Sequence, residues 1–412
     1  MRPLALVGFT YLLTQAAAII VGEKISQISA CICLFIFCVL VFFEKTRKFR
    51  DAIKNIDFTL IALTVLTAVF GIVMISSAGG DGAVRYVIVQ SAALVLGLIG
   101  VVIISILDYD YLARLSKYIY AACIILLVLV LIPGLGRVQN GARSWFVFGP
   151  VSFQPAELVK IGFVITFSKH LSEVGSGLNE PKNMWKVALH PAALCILMLL
   201  QPDFGTVVVF VMMALAMLFM AKISWKYLAG AFGALLAACP LIWIFLLKQY
   251  QKDRIITLFN PENDPTGSGY HVIQSKIAAG SGKLTGMGLY NGSSRYNNLL
   301  PERHTDFIYS VICEELGMIG GVAVIVLLSA IIIRCLYIGL NARNSEGLYI
   351  CTGVAAMLAF QAFENIGMCI GLFPVTGITL PFFSYGGSSL VTNLLAVGLV
   401  LNVRYRYKKI NF

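Results

Sequence analysis

Apolar residues run in long, nearly uninterrupted blocks along this chain. They show neither the alternation of strands nor the one-sided stripe of a surface helix. A helix needs about 20 mostly apolar residues to cross a bilayer core. About twelve blocks approach that length: Leu4–Val21, Ile28–Phe43, Phe58–Ser76, Val84–Leu107, Tyr118–Ile132, Pro155–Leu171, Val187–Leu200, Gly205–Ala221, Tyr227–Leu247, Phe307–Arg334, Leu348–Leu372 and Phe382–Val403. The pattern predicts an all-α polytopic membrane protein. The first block follows Arg2, but no clear small-residue cleavage site comes after it, so it reads as a retained span.

Basic residues orient the bundle, because Lys and Arg hold short loops in the cytoplasm. Lys45, Arg47, Lys48, Arg50 and Lys54 follow the second span. Later alternate connections carry Arg114 and Lys117, Lys169 and Lys182, Lys222 and Lys226, and Arg334 and Arg343, and the tail carries Arg404, Arg406, Lys408 and Lys409. All share one side when both termini are cytoplasmic. Three polar connections then face outward: Gly134 to Gln154, the long stretch from Lys248 to Thr305, and Phe373 to Pro381, which runs into Ser384-Tyr385-Gly386-Gly387. Long loops escape the charge rule, and long connections without regular structure are usually functional.

Composition agrees. The 412 residues are 59% hydrophobic and only 12% charged, about half the charge share of a soluble domain. The net charge of +11 follows from the cytoplasmic loops, and no basic run interleaved with aromatics points to nucleic acid. The ten Cys sit almost wholly inside apolar runs and act as small core residues, while the four His form no zinc set.

Few polar residues could carry chemistry. Pro155 suits a first helical turn, so Glu157 falls where the helix dipole favours an anion. Lys160 lies three residues on, on the same face. The pair is either a site or an ion pair that orients the helix. Asp306, between Arg303-His304-Thr305 and Phe307, is either a helix cap or a proton acceptor. Asp203 reads as a cap. Glu364 and Asn365 sit within a span, where a charge must find a partner or water. The segment Gly267 to Asn291 is Gly-rich, and Lys276 within it could bind phosphate, but it has no Walker spacing.

Together these outer segments resemble the SEDS family of cell-shape, division and sporulation proteins (RodA, FtsW and SpoVE). The matching stretches are Asn140-Gly141-Ala142-Arg143-Ser144-Trp145, Gln154 to Lys160, Gln201-Pro202-Asp203-Phe204-Gly205-Thr206, Gly267-Ser268-Gly269-Tyr270, Leu300 to Phe307, and Pro374-Val375-Thr376-Gly377 through Ser389. The resemblance begins at about Ile56. It implies a ten-span glycosyltransferase domain over residues 56–412, with a large extracytoplasmic loop at 248–306. Residues 1–55 are then a two-span extension without counterpart in the family, and Glu364 stands where an apolar residue is expected.

The resemblance further implies a plasma-membrane peptidoglycan glycosyltransferase. It would polymerise lipid II into β-1,4 glycan strands beside a class B penicillin-binding protein and other cell-wall synthesis proteins. Asp306 would be the catalytic base, with undecaprenyl pyrophosphate leaving. Glu157, Lys160, Arg143, Lys276 and Arg303 would bind substrate. A divalent cation could assist, though no metal cage is visible in the sequence. The alternatives are a lipid II flippase and a non-catalytic activator of the penicillin-binding protein.

Overall fold

The computed structural model describes residues 57–139, 142–148, 151–241, 243–244, 249–261, 267–293 and 300–406. The two spans expected before Ile56, and Asn140 and Gly141, lie outside the described residues. The described chain is a helical bundle with one small sheet. Its helices are α1 (Phe58–Ala78), α2 (Ala83–Ile106), the short α3 (Tyr109–Arg114), α4 (Ser116–Leu131), α5 (Pro155–Val174), α6 (Pro181–Leu200), α7 (Phe204–Met220), α8 (Trp225–Leu241), α9 (Gln249–Phe259), α10 (Ser268–Ser281), α11 (Ile308–Leu340), α12 (Ser345–Cys369) and α13 (Gly387–Tyr405).

The long helices occupy the places of the third to twelfth predicted spans. Among the described residues, six are long and apolar enough to cross a membrane: α1, α2, α6, α11, α12 and α13. Helices α4 and α7 are shorter apolar segments. The last span begins at Gly387, five residues after the predicted Phe382, because Phe382 to Gly386 form a turn that packs beneath α1.

Two connections carry more structure than their polarity suggests. The loop after α4 is a three-stranded antiparallel sheet of Arg137–Gln139, Ala142–Phe148 and Val151–Phe153. The long loop before α11 is not structureless, since it holds α9 and α10. Helix α10 is tied to the bundle by Ser275, whose hydroxyl donates to the Cys369 carbonyl at 2.8 Å and meets Ser310 Oγ at 2.7 Å.

Polar residues start the helices as their chemistry requires. Asp57 accepts from Leu60 N at 3.0 Å at the start of α1 and also holds Arg334 of α11, with Nη2 at 2.7 Å and Nε at 3.0 Å. Asn344 accepts from Gly347 N at the start of α12. Pro155 opens α5, which is buried on nearly every side between α4, α7 and α12. Helix α2 packs along α13, where the Asn402 amide donates to the carbonyls of Ile104 and Leu107.

Helix α11 breaks at Gly317, whose φ is 68° and ψ −165°. A break frees backbone groups that apolar surroundings cannot satisfy. Here the segment 283–288 supplies the partners. Lys283 O accepts from Met318 N at 2.8 Å, and Met287 N and Gly288 N donate to Glu314 O and Glu315 O at 3.0 and 2.9 Å. Both glutamates are fully buried. Ser293 donates to Glu314 at 2.6 Å, and Ser77 of α1 donates to Glu315 at 2.5 Å. The two acids lock α1, the loop and α11 together, a role the sequence reading did not single out.

Gly71 of α1 lies against the Phe382 carbonyl and Phe383 Cα, leaving no space for a Cβ. Gly71→Ala is expected to cost about 1–3 kcal/mol, the usual penalty of overpacking. Thermal unfolding of the detergent-solubilised protein should show a transition several degrees lower; an unchanged transition would contradict this packing.

Candidate functional site

Some of the residues predicted to carry chemistry lie around a hub at one end of the bundle, the loop between α12 and α13. Its carbonyls and amides are claimed one by one. Arg254 of α9 donates to Val375 O at 3.0 Å. Asn365 of α12 donates to Ile378 O at 2.7 Å. Leu380 N donates to Ser384 Oγ at 2.8 Å. Gln90 of α2 donates to Ser384 O at 3.0 Å and accepts from Gly386 N at 3.1 Å. Thr379 Oγ1 and Ser389 Oγ lie 2.9 Å apart.

Asp306 is delivered to this hub by a tight turn. Glu302 O accepts from the amides of Thr305, Asp306 and Phe307. The same Asn365 amide that holds Ile378 also donates to Asp306 O at 2.8 Å. His304 O accepts from Tyr385 N at 2.9 Å, and its ring stacks on Tyr86 at 4.3 Å between centroids. Asp306 Oδ2 faces Gly377, 3.6 Å from where a Cβ would stand. The cap reading of Asp306 fails, because α11 begins with Phe307 as its N-cap and makes no side-chain cap bond.

Burial pushes the Asp306 carboxyl up to about 7, and the Glu302 carboxylate adds to the rise. The Arg254 guanidinium opposes it, as does the Thr305 hydrogen bond. A carboxyl balanced near neutrality suits proton transfer at physiological pH. The His304 imidazole is shifted downward, chiefly by burial, so it serves as a neutral stacking partner.

A second cluster approaches from α5 and α7. Glu157 and Lys160 do form an ion pair, with Nζ to Oε1 at 2.8 Å, and Lys160 is 2% exposed. Gln154 donates to Asp203 Oδ2 at 2.9 Å, and Asp203 Oδ1 accepts from Thr206 N at 3.2 Å, so Asp203 is a cap as expected. Burial shifts the Asp203 carboxyl upward, with Thr206 and Lys160 opposing. Glu364, whose partner the sequence left unnamed, lies within electrostatic reach of Lys160 and Asp203 and beside the Thr376 hydroxyl. Thr376 in turn packs on Gly205 at the start of α7.

The other predicted cations lie elsewhere. Arg303 is buried, and its Nε donates to Ala78 O at 2.6 Å, anchoring the Asp306 turn to α1. Lys276 is exposed and lies across Gly371, just before the hub. Arg143 is fixed to the end of α4 through Leu131 O at 3.4 Å. Arg254 was missed by sequence reasoning. It sits on an amphipathic helix inside a loop whose partner, Val375, follows more than a hundred residues later, so no local pattern marks it.

The chain belongs to the cell cycle protein family of FtsW, RodA and SpoVE, whose model matches residues 57–409. It is 38% identical to stage V sporulation protein E of Bacillus subtilis (strain 168) over 362 residues, covering 86% of this chain and 98% of that protein. It is 34% identical to peptidoglycan glycosyltransferase MrdB of Escherichia coli (strain K12), covering 89% and 97%. Among solved structures it is similar to a chain of a peptidoglycan synthase complex described as coordinating polymerization and crosslinking, with TM-score 0.75, 34% identity and coverage of 86% and 99%. The rod shape determining protein RodA of Thermus thermophilus gives TM-score 0.65 at 32% identity, covering 86% and 98%.

Two outcomes follow from this geometry. Asn365→Leu orphans the carbonyls of Asp306 and Ile378 and is expected to cost roughly 2–6 kcal/mol, at about 1–3 kcal/mol for each buried group left unsatisfied; wild-type stability in a detergent melt would contradict it. The raised Asp306 value also has a signed consequence. Between its ordinary pKa of 3.8 and about 7, the folded state holds a proton that the unfolded chain has lost. The contribution of Asp306 is therefore full at low pH and is lost as pH rises through about 7. Melting wild type and Asp306→Asn in parallel should show wild type losing ground to the variant over that window, and a constant difference would refute the shift.

Proposed function

We propose that the chain is a peptidoglycan glycosyltransferase that polymerises lipid II into β-1,4-linked glycan strands. The observation that carries this reading is Asp306, a partly buried carboxyl shifted up to about 7 at the hub and free of any capping duty. The names of its full-length relatives support it.

In this mechanism Asp306 takes the proton of the acceptor sugar's C4 hydroxyl as that oxygen attacks the donor's anomeric carbon. The bond from that carbon to the diphosphate breaks, and undecaprenyl pyrophosphate leaves with the bonding electrons. Arg254, on the carbonyl of Val375, keeps Asp306 ionised often enough to act. Arg143, Lys160, Lys276 and Arg303 are proposed to bind substrate and to stabilise the growing negative charge of the diphosphate. Glu157 orients Lys160. A divalent cation is a candidate companion of the diphosphate; among the described residues no three acids, His or Cys converge to cage one.

The active site is proposed to face outside the plasma membrane, with both termini cytoplasmic. Residues 56–412 form the catalytic domain, and 1–55 add two spans. A class B penicillin-binding protein is the proposed partner, alongside other proteins of the elongation or division machinery. The similarity to a synthase that couples polymerization and crosslinking supports this assembly.

Reconstitution with the cognate penicillin-binding protein and lipid II tests the reading. Wild type should make glycan strands, and Asp306→Asn should lose at least about 100-fold, the usual contribution of a positioned base. Equal polymer from both would sink the catalytic assignment, and lipid scrambling without polymer would favour a flippase. The acid limb of the rate profile should fall near pH 7, where the Asp306 carboxyl titrates. Arg254→Gln should move that limb to higher pH, because the cation that favours the carboxylate is gone; Arg254→Lys should restore part of the shift.

A further inference from the structure

The turn that carries Asp306 contains a residue whose identity the fold does not explain. Glu302 stands at φ 52°, in the left-handed region that non-glycine residues rarely enter. The turn needs that backbone, because the Glu302 carbonyl accepts from the amides of Thr305, Asp306 and Phe307 at 3.2, 3.0 and 3.3 Å. Glycine would adopt the conformation without a steric penalty. The Glu302 side chain is exposed, so no packing role offsets the strain. Its Oε2 accepts from the Thr305 hydroxyl at 3.0 Å, one residue before Asp306. A strained residue kept beside a reacting group points to function. The other charged or titratable groups near Asp306 are accounted for. Arg254 acts on it from α9. Cys369 of α12 donates its thiol to Asp306 O at 3.6 Å. Within the turn, Arg303 donates to Ala78 O, and the His304 ring lies against Tyr86 of α2 and Tyr385 of the hub.

We infer that Glu302 is a positioning residue for Asp306: its carboxylate draws the Thr305 hydroxyl to itself and sets a fixed negative charge beside the base. The inference rests on the glycosyltransferase reading. A hydroxyl has one proton to give. Spent on Glu302, it is withheld from Asp306, whose carboxylate a Thr305 hydrogen bond stabilises and so weakens as a base. The charge acts in the same sense, since one carboxylate disfavours the ionisation of another. Arg254 opposes both from a separate helix. When Asp306 takes the proton of the C4 hydroxyl, the Glu302–Asp306 pair goes from two negative charges to one. Their repulsion is released as the proton moves, so Glu302 favours the transition state over the ground state. Glu302 touches no reacting atom and takes no proton; it acts through Asp306 alone.

Three variants separate charge from shape. Glu302→Gln keeps an acceptor for Thr305 and loses the charge, Glu302→Asp keeps the charge, and Glu302→Gly keeps the left-handed backbone and loses both. They are assayed with the cognate penicillin-binding protein and lipid II across pH. The Gln and Gly variants should move the acid limb of the kcat profile to lower pH by roughly half a unit, the reach of a charge partly screened by water. Their plateau kcat should fall about twofold or more as the base weakens, with KM within about twofold of wild type. The Asp variant should return the limb toward wild type. The Gly variant should melt no lower than wild type, whereas a purely structural side chain would lower the melt and leave the limb in place. An unmoved limb in the Gln and Gly variants, or an equal movement in the Asp variant, would overturn the inference. Melting across pH reads the same coupling without activity. The stability difference between Glu302→Gln and the double variant with Asp306→Asn should change over a lower pH window than the difference between wild type and Asp306→Asn. Wild type that makes no glycan would end the enzyme reading alone, because that window still decides the coupling.

Discussion

One side-chain amide holds the functional end of this bundle together. Asn365 sits fully buried on α12 and donates both of its hydrogens, one to Asp306 O and one to Ile378 O. Those carbonyls belong to two loops that otherwise share no regular structure. In apolar surroundings each would carry a penalty if left alone. Satisfying both from one rigid helix fixes the turn that carries Asp306 relative to the hub. Arg254, Gln90 and Tyr385 then attach α9, α2 and the Asp306 turn to the same hub. The site is built on loops, yet it is positioned as firmly as one built on helices.

Electrostatics in this end of the molecule follow from burial rather than from the number of charges. Asp306 lies near neutrality because desolvation outweighs Arg254, not because another acid crowds it first. Glu157 of the Glu157–Lys160 pair sits in the first turn of α5, where the helix dipole supports the acid, and Lys160 lies one turn on. A buried pair of this kind adds little stability over an apolar substitute. Its retention makes sense where one partner has donors to spare for something that arrives later.

Much of this was legible in the sequence, because membrane insertion imposes a strong and simple pattern. The positions of the long apolar helices follow from apolar run length, and the capping role of Asp203 from its place before Phe204. Helix ends were less legible where packing decides them. Pro381 and Phe382 are apolar enough to look like the start of a span, but Gly386 and Gly387 delay the helix so that the hub can turn. The site was readable only in part. Glu157, Lys160 and Asp306 stood out as ionisable residues near span ends, and the family resemblance weighted them. Arg254 and the double role of Asn365 depend on partners distant in sequence. The sheet after α4 and the helices inside the long loop were hidden by their polarity, which says "outside the span" and nothing more. Arg303, a basic residue beside the key acid, is also tied to the backbone of α1, a contact with a partner more than two hundred residues away that no local pattern reveals.

The break in α11 has a consequence for how the protein is made. Glu314 and Glu315 lie within a helix that must enter the bilayer, and an acid near a helix centre costs about 2.5–3.5 kcal/mol on insertion scales. Their hydroxyl partners, Ser77 and Ser293, and the backbone of 283–288 all precede α11 in the chain. A ribosome therefore delivers the receiving surface before the helix that needs it. The burial of these two acids therefore couples the two halves of the bundle: the surface that receives them is built from α1 and the preceding loop, and it is complete in the chain before α11 is made.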